Sequence, residues 1–254
     1  MPTWTPAALS SETRRLSGVC WRVVEAQHVV STMALVDTLA EQALLEQVLD
    51  DSKPAVPREC RGLHYLLFTP FRYGAPNPHG SRFRAAGVTA GVFYASQQPA
   101  TAIAEMGFRR LLFYAESPQT PWPVNAADYT VFSVRYGGKG LDLTKPPLDA
   151  DAADWTNPVN YGPTQALADS ARDADVQVIR YQSARANGLN VALLTCAAFR
   201  SKAPEERRRW KLHLGPSGIR AVGEADDERL AFDRMAFARD PRIASLRWDR
   251  ETSD

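Results

Sequence analysis

The sequence predicts an α+β fold built on a mostly antiparallel sheet. Two observations carry that expectation. Runs rich in β-branched and aromatic residues alternate with helical stripes, but irregularly, without the repeating βα unit of a doubly wound sheet. The 254 residues are 44% hydrophobic and 23% charged, an ordinary globular usage, so one domain can bury its core without metal or disulfide support.

The elements follow in order. Residues 1–17 are polar and proline-containing and read as a lead-in. Residues 19–24, with Trp21 and three valines, predict a short strand. Ser31 or Thr32 can cap a helix to about Asp50, because Val36, Ala40, Ala43, Leu44 and Val48 share one stripe. Residues 63–69 predict a strand stopped by Pro70. Gly74, Pro76, Pro78 and Gly80 forbid regular structure over most of 71–89, and loops this long are often functional. A strand at 91–95 leads to a helix opened by Gln98 and Pro99 and running to about Arg110. Strands at 111–114 and 129–136, a loop at 142–162, a helix from Pro163 to about Ala174, and strands at 176–181 and 191–199 complete the core. The chain from Ser201 onward is a charged tail.

Composition narrows the function. The 30 basic and 29 acidic side chains leave a net charge of +1, so no global field points to nucleic acid or to an anionic membrane. No apolar run is long enough to span a bilayer, and residues 1–10 lack the apolar core of a signal peptide. Cys20, Cys60 and Cys196 are too scattered for a disulfide framework, and neither CxxC, HExxH nor zinc spacing occurs. The expectation is a soluble cytoplasmic protein with reduced thiols and no metal. Gly137-Gly138-Lys139-Gly140 lacks the phosphate-loop spacing and a following helix, and reads as a turn between strands. The basic run from Arg207 to Lys211 is flanked by acids and reads as a solvated surface.

The informative signal is polar residues in apolar contexts: Arg22, Tyr94, Glu105, Ser183 and Arg185. Burying an arginine or a glutamate is costly unless it is paired or serves a ligand. Each has a structural alternative. Arg22 can face solvent on an edge strand, Glu105 can pair with Arg109 one helical turn on, Tyr94 can be core, and Ser183 and Arg185 can mark the end of a strand.

Taken together, the segments Trp21-Arg22, Gly80-Ser81-Arg82-Phe83, Val92 to Ser96, Ala102 to Glu105 and Tyr181 to Arg185 resemble the RES domain family, named for an arginine, a glutamate and a serine. Tyr94 and Glu105 are 105 − 94 = 11 residues apart, as in that family. The likeness covers about residues 18–200 of one domain spanning 1–254, leaving a charged extension at about 201–254. The long stretch between Arg22 and Arg82 and the tail depart from shorter members, and would cover the pocket, form a homodimer surface or hold a partner.

The resemblance implies an ADP-ribosyltransferase-like core with flanking helices and a toxin of a type II toxin–antitoxin system. Its partner would be a Xre-like antitoxin that blocks the active site. It implies that NAD+ is consumed as a substrate, with no metal, and that the nicotinamide–ribose bond is cleaved. The acceptor of ADP-ribose stays open among water, phosphate and a host protein. In that reading Glu105 stabilises the oxocarbenium-like transition state. Arg22, then Arg82, binds the pyrophosphate. Tyr94 stacks on nicotinamide, Ser183 holds a phosphate, ribose or carboxamide group, and Tyr73 and Gln165 are neighbours. A non-catalytic nucleotide- or partner-binding protein on the same scaffold is the alternative.

Overall fold

A computed structural model describes residues 4–26, 35–52, 54–72, 78–225 and 227–251. Tyr73 and residues 31–34 of the expected helix lie outside the described residues, while residues 35–38 are not helical, so the helix expected from residue 31 begins only at Leu39. The helices are α1 (Pro6–Ser11), α2 (Leu39–Asp51), α3 (Tyr65–Phe68), α4 (Pro99–Glu116), α5 (Ala152–Trp155), α6 (Gly162–Asp173) and α7 (Pro241–Ala244). The strands are β1 (Arg14–Glu25), β2 (Phe93–Ser96), β3 (Ala127–Asp142), β4 (Val178–Gln182), β5 (Leu189–Leu193), β6 (Glu206–Gly215), β7 (Gly218–Gly223) and β8 (Arg229–Phe232).

The strands form one sheet in the order β1-β2-β5-β4-β3-β6-β7-β8, and β1 pairs again with β3. That second pairing closes β1, β2, β5, β4 and β3 into a ring, with β6 to β8 extending from β3. All pairings are antiparallel except β3 with β4. The seam between β1 and β3 runs in continuous register from Arg14↔Gly140 to Glu25↔Tyr129.

Alternation along the strands separates two faces. One buried cluster draws on all five ring strands, with Cys20, Phe93, Phe132, Val178 and Val191 among its members, and is the enclosed face. On the outer face, α6 packs over Leu141, Ile179, Tyr181 and Ala192. Ala102 and Ile103 of α4 pack over Val23, Tyr129 and Val131.

Several sequence expectations need correction. Residues 63–69 form α3 and a 3-10 turn rather than a strand, and residues 111–114 continue α4. Their apolar runs are short enough to fit either structure, and packing decided. Gly137 to Gly140 sit inside β3 rather than in a turn, where a Cβ at Gly140 would crowd Leu16 across the seam. The charged tail supplies three strands and α7, because its charges alternate with buried Trp210, Leu212, Leu214, Ile219 and Ala221.

Cys60 and Cys196 are not reduced but joined in a disulfide with Cα atoms 5.4 Å apart, bridging two 3-10 turns 136 residues apart in sequence. Spacing in the chain carries no trace of a meeting made by tertiary folding. Cys20 stays a free, buried thiol; burial pushes its pKa up to about 12, against the lowering effect of Arg22.

Candidate active site

The site assembles on the outer face where α4 crosses the ends of β4 and β5. Pro99 opens α4, since a proline in the first helical turn gives up no intrahelical hydrogen bond. Glu105 then lies on the second turn, above the loop that joins β4 to β5. That loop can approach because Gly188 has no side chain; a Cβ there would run into the Thr101 hydroxyl of α4.

Glu105 is half-buried and anchored through one oxygen. Its Oε1 accepts hydrogen bonds from Ser183 Oγ and from Asn190 Nδ2, each at 2.7 Å. Asn190 is oriented in turn by Ser96, whose Oγ donates to Asn190 Oδ1 at 2.6 Å. Ser183 Oγ accepts from the backbone N–H groups of Arg185 and Ala186, both at 3.0 Å. Every member of the chain Ser96–Asn190–Glu105–Ser183 is thereby fixed in direction, while Glu105 Oε2 has no hydrogen-bond partner among the described residues. Arg109 is exposed and forms no ion pair with Glu105, so the alternative of a surface pair fails among the described residues.

Tyr94 points to the same outer face, packed at the edge of the cluster that holds Phe83, Tyr181 and Leu167. Its hydroxyl accepts from the Phe83 backbone N–H at 2.9 Å and shares a hydrogen bond of 2.8 Å with Ser81. Burial raises its pKa. Tyr94 therefore clamps the loop 81–83 to β2. Gln165 of α6 completes the clamp by donating to the carbonyls of Ser81 at 3.0 Å and Arg84 at 3.3 Å. Gly80 enters this turn with φ of 64°, a left-handed conformation that suits glycine.

The arginines divide. Arg22 pairs in register with Phe132, a member of the enclosed cluster, and its guanidinium lies 4.8 Å from the Phe93 ring centroid. Its Nη1 donates to Tyr94 O at 3.0 Å. It therefore sits on the face opposite to Glu105 and is joined to the site through the β2 backbone. Arg82 lies over the Tyr161 ring at 4.9 Å and donates to Trp155 O at 2.6 Å and Asn157 O at 3.0 Å. Arg185 reaches the same tyrosine from its hydroxyl side, at 3.4 Å, and donates to Pro158 O at 2.6 Å. Burial lowers the Arg185 pKa, opposed by Tyr161, Asp240 and Glu105. Tyr181 stands between these groups: burial and then the Glu105 charge hold its phenol well above the usual value.

Of the residues singled out in the sequence, Glu105 and Ser183 meet directly, Tyr94 and Gln165 meet around the loop 81–84, and Arg82 and Arg185 meet at Tyr161. Arg22 is the one set apart by the sheet. Asn190, Ser96, Tyr161 and Asp240 were missed as site residues. Asn190 and Ser96 carried a legible signal, each being a polar residue in an apolar strand. Asp240 carried none.

A cleft of about 440 Å³ lined by Arg14, Arg15, Lys139, Gln177 and Arg200 lies elsewhere. Gln177 and Ser183 flank β4, so about 20 Å of strand separates them. Lys139 donates to Ala174 O and Arg200 to Ala197 O and Phe199 O, so these two cations hold the C-terminus of α6 and the 3-10 turn that follows β5. Among the described residues no helix is long and apolar enough to cross a membrane, and no cluster of His, Cys, Asp and Glu suits a metal.

A family model described as "RES domain" matches residues 56–215. No curated protein matches the chain. Among solved structures, the chain is similar to one in the crystal structure of the M. tuberculosis MbcT-MbcA toxin-antitoxin complex, with 13% identity and a TM-score of 0.42 over 76% of this chain and 86% of that one.

Proposed function

The chain belongs to the RES domain family, and on that premise we propose that it is an NAD+-consuming toxin that cleaves the nicotinamide–ribose bond. The observation that carries the reading is the held carboxylate of Glu105, with Oε1 fixed by two donors and Oε2 open, beside a wall containing Arg82 and Arg185. A ligand with a pyrophosphate at one end and a sugar gaining positive charge at the other complements that distribution. As the bond to nicotinamide lengthens, positive charge spreads over the ribose C1′ and ring oxygen. A fixed carboxylate stabilises that charge without reorganising. The electron pair of the broken bond leaves with nicotinamide, which departs as a neutral molecule. ADP-ribose passes to water, to phosphate or to a protein.

Ser183 and Asn190 act by holding the carboxylate. Tyr94, whose hydroxyl is fully engaged, offers only its ring to the nicotinamide. A cell that carries such an enzyme needs it inhibited, and a Xre-like antitoxin covering the arginine wall is the partner in this reading. The test is incubation of purified protein with NAD+ and detection of free nicotinamide, repeated with added phosphate and with lysate plus labelled NAD+ to sort the acceptors. Retention of NAD+ without nicotinamide release would replace the enzyme by a binding protein.

A further inference from the structure

We propose that Asp240, supplied by the C-terminal extension, is a positioning residue that holds Arg185 so that its Nη1 faces the pyrophosphate of the dinucleotide. The inference rests on the NAD+ reading and deepens it, by naming which arginine takes the anionic linkage and what aligns it.

The three arginines differ in what their guanidinium groups already do. Arg22 stacks on Phe93 on the enclosed face. Arg82 gives both terminal nitrogens to the carbonyls of Trp155 and Asn157. Arg185 gives only Nη2, which is shared by Pro158 O, the Tyr161 hydroxyl and Asp240 Oδ2 at 3.1 Å. Its Nη1 is buried and has no hydrogen-bond partner among the described residues. A buried charged donor without an acceptor is costly, and an anion that reached it would complete it.

The alignment comes from below. The ring of Phe108, one turn after Glu105 on α4, lies 3.8 Å from the Arg185 guanidinium carbon. Asp240 grips the guanidinium edge, in an ion pair whose side chains are 4% and 0% exposed. The same carboxylate accepts from Arg242 Nη2 at 2.8 Å and from Arg242 N and Nε at 3.0 Å, and so caps α7. Asp240 is shared between two guanidinium groups, so it neutralises neither of them fully. The clasp also reaches the carboxylate of Glu105, because the Arg185 N–H donates to the Ser183 hydroxyl that donates to it. Asp240 lies beyond the residues matched by the family model, so this part of the site is added by the extension.

The experiment uses the full chain and titrates ADP-ribose by calorimetry. This ligand carries the pyrophosphate but no nicotinamide bond, so its binding is read without turnover. Asp240→Asn should weaken ADP-ribose about tenfold to a hundredfold, the range of one charge-assisted hydrogen bond. Arg185→Lys, which keeps the charge and loses the planar fork, should do the same, and it carries the test if the first variant fails to fold. Asp142→Asn is the control: it breaks the ion pair with Arg180 and should lower the melting temperature while ADP-ribose affinity stays unchanged. In turnover, Asp240→Asn should raise KM for NAD+ with kcat near wild type, a split that simple destabilisation does not produce. Wild-type protein that fails to bind ADP-ribose overturns the inference, as does affinity within twofold of wild type in folded Asp240→Asn or in folded Arg185→Lys. If wild type binds ADP-ribose, both variants bind it weakly, and no nicotinamide is released from NAD+, the inference stands and the proposed reaction falls.

Discussion

Replacing Glu105 by glutamine separates the charge of this side chain from its shape. The amide oxygen can keep both hydrogen bonds, from Ser183 Oγ and Asn190 Nδ2 at 2.7 Å, because both reach the same oxygen. Charge-assisted bonds are roughly twice as strong as neutral ones, so each weakens by about 1 kcal/mol. Removing a half-buried charge offsets part of that loss, since the neutral amide is cheaper to bury. The expected change in unfolding free energy is therefore no more than about 2 kcal/mol. The rate is another matter. Losing one preorganised electrostatic group costs about 10²–10³ in turnover, or about 3–4 kcal/mol of barrier. Activity should thus fall far more than stability does. The assay is nicotinamide release from NAD+ per folded molecule, with the folded fraction taken from urea denaturation. Turnover within a few-fold of wild type, in protein that is folded, would refute the role given to the carboxylate. Expression of the variant should also no longer arrest growth.

Three further outcomes are expected. Tyr94→Phe leaves the Phe83 N–H without its acceptor and frees Ser81, so urea unfolding should show a loss of about 1–3 kcal/mol; unchanged stability would mean that the hydroxyl pins nothing. Arg22→Lys removes the stacking on Phe93 and the donor geometry toward Tyr94 O, and should cost about 1–2 kcal/mol with NAD+ kinetics changed only a few-fold. A collapse of activity at full stability would show that Arg22 reaches the ligand. For Asp240, burial raises the pKa, but the hydrogen bonds and charges of Arg242 and Arg185 win and hold it below its ordinary value of 3.8. A depressed pKa contributes stability above that ordinary value and loses it as pH falls through the folded one. The stability gap between wild type and Asp240→Asn should therefore be full at pH 6 and shrink below about pH 4; a gap that widens on acidification would contradict the ion pair.

What the sequence determined by itself is local and compositional. Pro99 and Pro163 mark the openings of α4 and α6 because proline fixes its own φ and lacks the N–H that a first turn leaves unbonded. The β-branched runs around Val23, Val131, Val178 and Val191 form strands because their side chains fit a pleated, packed surface. A glutamate, a serine and an arginine in apolar settings marked a candidate site, since burial of such groups is costly without partners. Tertiary structure alone decided which of them meet. Ring closure between β1 and β3 put Arg22 on the enclosed face, and a one-residue change of register would have turned it to the outer face. The disulfide of Cys60 with Cys196 and the clasp of Asp240 on Arg185 each join residues more than fifty positions apart. Local propensity is silent on such pairs, because neither partner's backbone preference depends on the other. Only the packing of whole elements around one core brings them within the few ångströms at which a bond or an ion pair forms.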